Sequence, residues 1–370
     1  MTFHDIEFSA KPELEYPFKR GWAPEHGKPF EVSEGVFWLR MPIPFSLDHI
    51  NLWLLRDGDG WTIVDSGVDQ ESCKAVWDIV FDEFCSPDQI KRIVITHFHM
   101  DHIGLASWLA LKCDCPIYMT RGEFEHYHRV TTRTEAESRE TALPYYRSLG
   151  FDEKTCEAIL RFFKADDKPK EARVQPEQVT YIKPDDVLEI NSKHWKIVCG
   201  NGHSPEHACL YNESDKVLIS GDQSLPRISS NVSLYPGNDV QDPLGDWLSS
   251  CEMLRDLIPS NTLVLPSHQE PFRRNPARMQ QMIDDHHEQL NLLRASLQKP
   301  LNAAGVRRIM FDRELDQTQK VLATGETMAH LRYLTERAEV SETLDQNSVA
   351  WFQMINFKTD PDDLAIEATR

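Results

Sequence analysis

A chain of 370 residues, 40% hydrophobic and 27% charged, is long enough for one large domain plus a smaller one and apolar enough to bury a sizeable core. Its formal charge of −19 sets up a field that repels phosphate, which argues against a general nucleic-acid or anionic-membrane binder. No run reaches the roughly eighteen consecutive apolar residues of a spanning helix, and MTFHDIEFSAKPELEYPFKR lacks an apolar signal region, so a cytoplasmic protein without membrane contact is expected.

Residues 1–34 are polar and proline-bearing and read as an extended arm. GVFWLRM, INLWLLRDGDG and WTIVDSG follow as strand-like runs, with RDGDG as a hairpin turn. ESCKAVWDIVFDEF has helical spacing, IKRIVIT is a short buried strand, GLASWLALK a helix and CPIYMT another strand. That alternation predicts an α/β layered domain over residues 35–275. Over 121–175 the strands stop. RGEFEHYHRV, TRTEAESRETALPYYRSLG and DEKTCEAILRFFKADD read as helices, an insertion that forms either a lid or a packed helical excursion. Strands resume with VTYIKPDDVLEI, HWKIVCG, ACLYNESDKVLISGD and TLVLPSH, with the helix DPLGDWLSSCEMLRDLI before the last. From 276 to 370, ARMQQMIDDHHEQLNLLRASL, LNAAGVRRIMF and TGETMAHLRYLTERAEV predict helices and NSVAWFQMI a closing strand, a mainly helical, winged-helix-like unit. The eight cysteines show no regular spacing, and Cys113 and Cys115 lie too close for a zinc-binding CxxC, so they read as small buried apolar residues.

Chemistry concentrates in IVITHFHMDHIG. His97, His99, Asp101 and His102 directly follow the strand IKRIVIT, on the loop at its carboxyl end where α/β sheets place ligands. Imidazole and carboxylate are donors suited to zinc, iron or manganese. Three later points join them, each where an apolar run meets a loop: His203 in GNGHSPEH, Asp222 in VLISGD and His268 in TLVLPSH. Strand ends of one sheet layer converge in space, so five histidines and two aspartates accumulate.

The set THFHMDH, GHSPEH, SGD and PSH, in that order, resembles the metallo-β-lactamase fold superfamily over roughly residues 35–272, the insertion excepted. The resemblance implies an αββα sandwich. It implies that His97, His99 and His203 hold one metal, that Asp101, His102 and His268 hold another, and that Asp222 bridges them. Asp65 in VDSG matches a family position that organises the loops, and His207 matches the second histidine of a GHxPGH pattern, behind the ligands. Glu206 stands where glycine is usual. Two divalent ions about 3.5–4 Å apart, zinc before iron or manganese, share a water and bring its pKa near neutrality. The resulting hydroxide attacks an ester-like bond, with Asp101 orienting it as the catalytic carboxylate.

The bond cleaved is less legible. A common zinc β-lactamase would carry cysteine where Asp222 stands, and flavodiiron relatives a glutamate where His99 stands. Glyoxalase II-like thioester hydrolases share the seven-donor pattern but not the run SHQEP after the last of them. The tail is similar to that of β-lactamase-like proteins with a winged helix, some of which cut single-stranded RNA. Residues 271–370, however, hold 13 Lys+Arg against 15 Asp+Glu, where a phosphate-tracking surface would be basic. The expectation is a hydrolase of a small thioester, with an endoribonuclease and a catalytically idle metal-binding scaffold as alternatives, and a tail that packs on the catalytic domain or makes a homodimer contact. Arg227 reads either as an anchor for a substrate carboxylate or phosphate or as a loop-fixing residue. Tyr127, Tyr145 and Tyr146 read as an acyl-pocket lining or as helix packing, His49 as structural, and His286 and His287 as uninvolved.

Overall fold

The structure, a computed structural model, describes residues 13–44, 47–162, 173–237 and 240–355. Parts of the expected arm (1–12), insertion (163–172) and tail (356–370) lie outside the described residues.

Strands β1 (Phe30–Ser33), β2 (Val36–Pro42), β3 (His49–Asp57) and β4 (Gly60–Val64) form an antiparallel meander. Helix α1 (Glu71–Glu83) then leads to β5 (Ile90–Val94), and α2 (Met100–Ile103) and α3 (Ala106–Cys113) to β6 (Ile117–Thr120), both strands added in parallel. Helices α4 (Arg121–Thr132), α5 (Glu135–Ser148) and α6 (Glu153–Phe162) make the insertion before β7 (Val179–Ile182) completes a seven-stranded sheet in sequence order.

A second sheet follows from β8 (Val187–Ile190), β9 (Lys193–Gly200), β10 (His207–Asn212), β11 (Val217–Gly221), helix α7 (Pro243–Leu257) and β12 (Leu263–Pro266), in the order β12-β11-β10-β9-β8. The run VTYIKPDDVLEI thus divides at its Lys-Pro-Asp-Asp turn, giving one strand to each sheet. Asp242 caps α7 by accepting from Gly245 N, and Pro243 sits in its first turn, where a missing N–H costs nothing. The tail is α8 (Asn275–Ser296), β13 (Leu301–Asn302), α9 (Ala303–Met310), α10 (Gln317–Glu336), β14 (Val340–Leu344) and β15 (Ala350–Met354), its strands paired in the order β13-β15-β14. This is a helical unit with a winged-helix strand arrangement; β14, with three consecutive exposed residues, carried no apolar pattern to announce it.

Three apolar clusters separate the layers, and together they make the expected αββα sandwich. The first lies between the sheets, with Trp38, Trp53, Val94, Trp195, Leu210 and Leu265. Trp77, Val80, Leu109 and Ile117 belong to the second, between the first sheet and α1 and α3. The third covers the outer face of the second sheet and joins Trp247 and Leu254 of α7, Met282 and Leu290 of α8, Tyr146 and Ile159 of the insertion, and Val306, Leu331 and Phe352 of the tail. Helices α5 and α6 are therefore a packed excursion, with their apolar faces in the same core as the tail. The arm expected over 1–34 is also docked within its described part: Glu15 bridges to Arg273, and Phe18, Ala23 and Val32 pack on the intersheet cluster.

A candidate dinuclear metal centre

The donors sit at strand ends, as their positions after apolar runs predict. They come from both sheets and not from one layer as expected: His97 and His99 follow β5 of the first sheet, with Asp101 and His102 on α2 beyond it, while His203 follows β9, Asp222 follows β11 and His268 follows β12 of the second. Asn51 ties the two sheets together where His268 leaves β12: its Nδ2 donates to the carbonyls of Pro266 at 2.9 Å and Gln269 at 2.7 Å.

Donor atoms of His97, His99, His203 and Asp222 all lie within 4.8 Å of one another, and so do those of Asp101, His102 and His268. Asp222 connects the groups. Its Oδ2 is 3.5 Å from His203 Nε2 and 3.6 Å from His102 Nε2, and its Oδ1 is 3.5 Å from His268 Nε2. Asp101 Oδ2 stands 3.4 Å from His268 Nε2.

Far-side nitrogens are held by hydrogen bonds, which fixes the tautomer and aims the other nitrogen inward. His102 Nδ1 donates to Asp65 Oδ2 at 2.8 Å, His203 Nδ1 to the Asn231 carbonyl at 2.8 Å, and His268 Nδ1 to the His49 carbonyl at 2.9 Å. Asp65 also accepts from the backbone N–H of Thr96 at 2.8 Å. His207 is fully buried and stacked on His97, with ring centroids 4.7 Å apart. Its Nε2 accepts the backbone N–H of Asp222 at 3.1 Å, so that lone pair is committed to placing Asp222.

The electrostatics suit a cation. Burial and neighbouring imidazoles depress the basicity of His97 well below the usual range, and burial beside His203 takes His99 to about 3. Burial opposes ionisation of Asp222, yet His268 and His102 hold its carboxyl well below the carboxylate range. Burial likewise opposes charge on His102, but Asp65, Asp101 and Asp222 outweigh it and raise its pKa. His102 Nε2 and Asp222 Oδ1 are buried without a hydrogen-bond partner. Orphaned buried polar atoms of this kind are costly, and a divalent ion between them is the partner that N/O donors at these separations fit.

Glu123 on α4 drew no attention in the sequence, where it sits in a helical run of mixed charge. It is fully buried between the two ligand-bearing loops. It accepts from Phe98 N at 2.9 Å, Ser204 Oγ at 2.6 Å and Glu206 N at 2.6 Å. Burial raises its pKa to about 7 despite these bonds. Glu206, in the usual glycine position, reaches back to accept from Gly122 N at 2.9 Å, so the start of the insertion clasps the mouth of the site.

Arg227 is turned to an ion pair with Glu270 and lies over the Tyr16 ring, the loop-fixing alternative. His49 Nε2 accepts from Gln269 N at 2.9 Å, in keeping with a structural role. Tyr127 and Tyr146 are core residues, and Tyr145 is packed beside Tyr146 with its hydroxyl donating to Leu234 O at 3.3 Å. His286 is buried against His330 in the tail. All eight cysteines are free thiols, six of them buried. A mainly apolar cleft with a cavity volume of about 110 Å³, open to solvent, borders His99 and His203, with Phe98, Ser233, Tyr235, Val240, Pro243 and Leu322 in its walls. No helix among the described residues is long and apolar enough to cross a membrane.

The chain matches the family model of the metallo-beta-lactamase superfamily over residues 46–268 and that of the metallo-beta-lactamase-like C-terminal domain over 290–355. It is similar to the probable metallo-hydrolase YqjP of Bacillus subtilis (strain 168), 24% identical over 86% of this chain and 98% of that protein. The acyl-coenzyme A thioesterase MBLAC2 of Homo sapiens is 24% identical over 65% of this chain and 80% of its own. Among solved structures, a beta-lactamase domain protein from Burkholderia ambifaria is 37% identical, with 92% of this chain and 98% of that one covered at a TM-score of 0.83.

Proposed function

The chain belongs to the metallo-beta-lactamase superfamily and is a metal-dependent hydrolase, and we propose that it cleaves small thioesters with a dinuclear, most readily zinc, centre. In this reading His97, His99 and His203 would hold one ion and Asp101, His102 and His268 the other, with Asp222 available to both groups. Two such ions supply Lewis acidity and a water acidified to near neutral pH. The chain's own residues do the rest. Asp101, beside His268, accepts a hydrogen bond from the attacking water and orients it. Asp65, the Asn231 carbonyl and the His49 carbonyl keep three imidazoles from turning. Glu123 holds the Phe98 and Ser204–Glu206 loops in one register, so the donors are placed before substrate arrives.

The observation that carries the thioester is the apolar cleft opening onto His99 and His203. An acyl group placed there would present its carbonyl to the donor cluster. The likeness to MBLAC2, named an acyl-coenzyme A thioesterase, supports the same class. The nuclease alternative is less well supported. In a winged-helix unit the second helix of the pair would read nucleic acid, and here that helix, α10, has Val321, Met328, Ala329, Leu331 and Leu334 buried.

The test offers purified protein an acyl-coenzyme A, an acyl-glutathione, a lactone, nitrocefin and a single-stranded oligonucleotide. Thioester turnover that disappears in Asp101→Ala is the expected result. Oligonucleotide cleavage that needs residues 276–370, without thioester turnover, would overturn it. Elemental analysis of protein purified without added metal decides between zinc, iron and manganese.

A further inference from the structure

The walls of the apolar cleft come from separate parts of the chain. Among its described residues the helical insertion contributes only His126 of α4, because α5 and α6 have their apolar faces in the core beneath the second sheet. Facing it are Ser233 and Tyr235, on the extended segment after β11, and Leu322 on the second turn of α10, in the tail. Leu322 is only half-buried although Val321 and Ala323 beside it are buried, so its side chain is the part of this turn left open to the cleft.

The extended segment is stitched to α10 rather than to the sheets alone. Leu234 N donates to Gly325 O at 3.0 Å, and Ser233 Oγ to Leu322 O at 3.5 Å. Gly325 permits this approach, since a Cβ there would fall 2.6 Å from Ser233 Oγ. The same segment carries Asn231, whose carbonyl orients His203 and whose Nδ2 reaches Glu326 Oε2 of α10 at 3.5 Å. One short stretch therefore registers the tail wall against the donor cluster.

We propose that Leu322 is a specificity-determining residue: the tail supplies the wall that sets which acyl chains reach the centre, and the substrates it selects carry apolar acyl groups. This rests on the thioester reading above. An added or missing methylene against an apolar wall changes kcat/KM by about tenfold or more. A bulkier side chain at 322 shortens the cleft, and a smaller one lengthens it.

The experiment measures kcat/KM of the full-length, metal-loaded enzyme for acetyl, octanoyl and dodecanoyl thioesters of one carrier, in wild type, Leu322→Trp, Leu322→Ala and Leu344→Ala. Leu344 is an exposed tail residue on β14, outside the cleft, and serves as the control. Binding of a non-hydrolysable octanoyl thioether is measured by calorimetry, and metal per chain by elemental analysis. Leu322→Trp is expected to lower the octanoyl-to-acetyl ratio about tenfold and weaken thioether binding by a similar factor. Leu322→Ala is expected to raise the dodecanoyl-to-octanoyl ratio, and Leu344→Ala to keep the wild-type ratios, with metal content unchanged in all. Wild type that cleaves the thioesters while both Leu322 variants keep its ratios overturns the inference alone. Wild type that neither cleaves a thioester nor binds the thioether removes the reading beneath it, and the inference with it.

Discussion

Asp65 accepts from the Thr96 amide and hydroxyl and from His102 Nδ1, so one buried carboxylate fixes both a donor ring and the loop that carries it. Asp65→Asn keeps the shape but offers an N–H to one of these donors. Losing an outer partner of this kind typically costs about 10–100-fold in metal affinity. That loss is expected here, with chelator competition as the check and an unchanged affinity as the result against it. Glu123 makes a second such prediction. Glu123→Ala leaves two backbone donors and a hydroxyl buried without their acceptor. It should cost roughly 2–4 kcal/mol of stability, read by denaturant unfolding, and lower the affinity for metal. Neither residue lies in the donor cluster itself. The sequence exposed the donors because their side-chain types and strand-end positions are local, whereas Glu123 is recognisable only once the two loops it joins are seen together.

The β11–Asp222 junction shows how an element's end places a donor. Gly221 has φ of +52°, and a Cβ there would come 2.4 Å from His207 Cε1. His207 and the turn thus need a glycine between β11 and Asp222. Gly221→Ala is expected to cost about 1–3 kcal/mol from backbone strain alone and to displace Asp222, visible as fewer metal ions per chain. Native metal content in that variant would argue against the bridging role proposed for Asp222. Helix α10 tells a different story. Its ends follow from local chemistry, since Asp316 and Gln319 form a capping box. Its burial against α6 and α7 does not, and that packing brings its Leu322 to the cleft.

Insertion, α7, α8 and tail share one apolar cluster, from Ala142 to Phe352. Units joined through a common core unfold together, so thermal unfolding of the metal-free protein should be one transition by both near- and far-ultraviolet circular dichroism. Two separated transitions would mean the tail is an independent module. The acid limit follows from the buried tail pair His286 and His330. Burial holds their pKa values down at about 3 and about 4, below the ordinary 6.5. Between those values and 6.5 the unfolded chain binds more protons than the folded one, so stability falls as pH drops through that interval and is complete above it. His286→Leu should flatten this dependence, measured as the denaturation midpoint against pH; an unchanged slope would place the acid sensitivity elsewhere.

From its residues alone this chain disclosed the α/β alternation, the helical insertion and the seven His and Asp residues that the fold gathers into two groups. These depend on short-range periodicity and on side-chain chemistry at strand ends, which a linear pattern records. Tertiary structure decided that Arg227 pairs with Glu270, that Tyr127 and Tyr146 are core, and that the tail lends Leu322 to the cleft. Those outcomes turn on contacts between segments tens to hundreds of residues apart, where competing partners and packing volume, not local propensity, determine which face is covered.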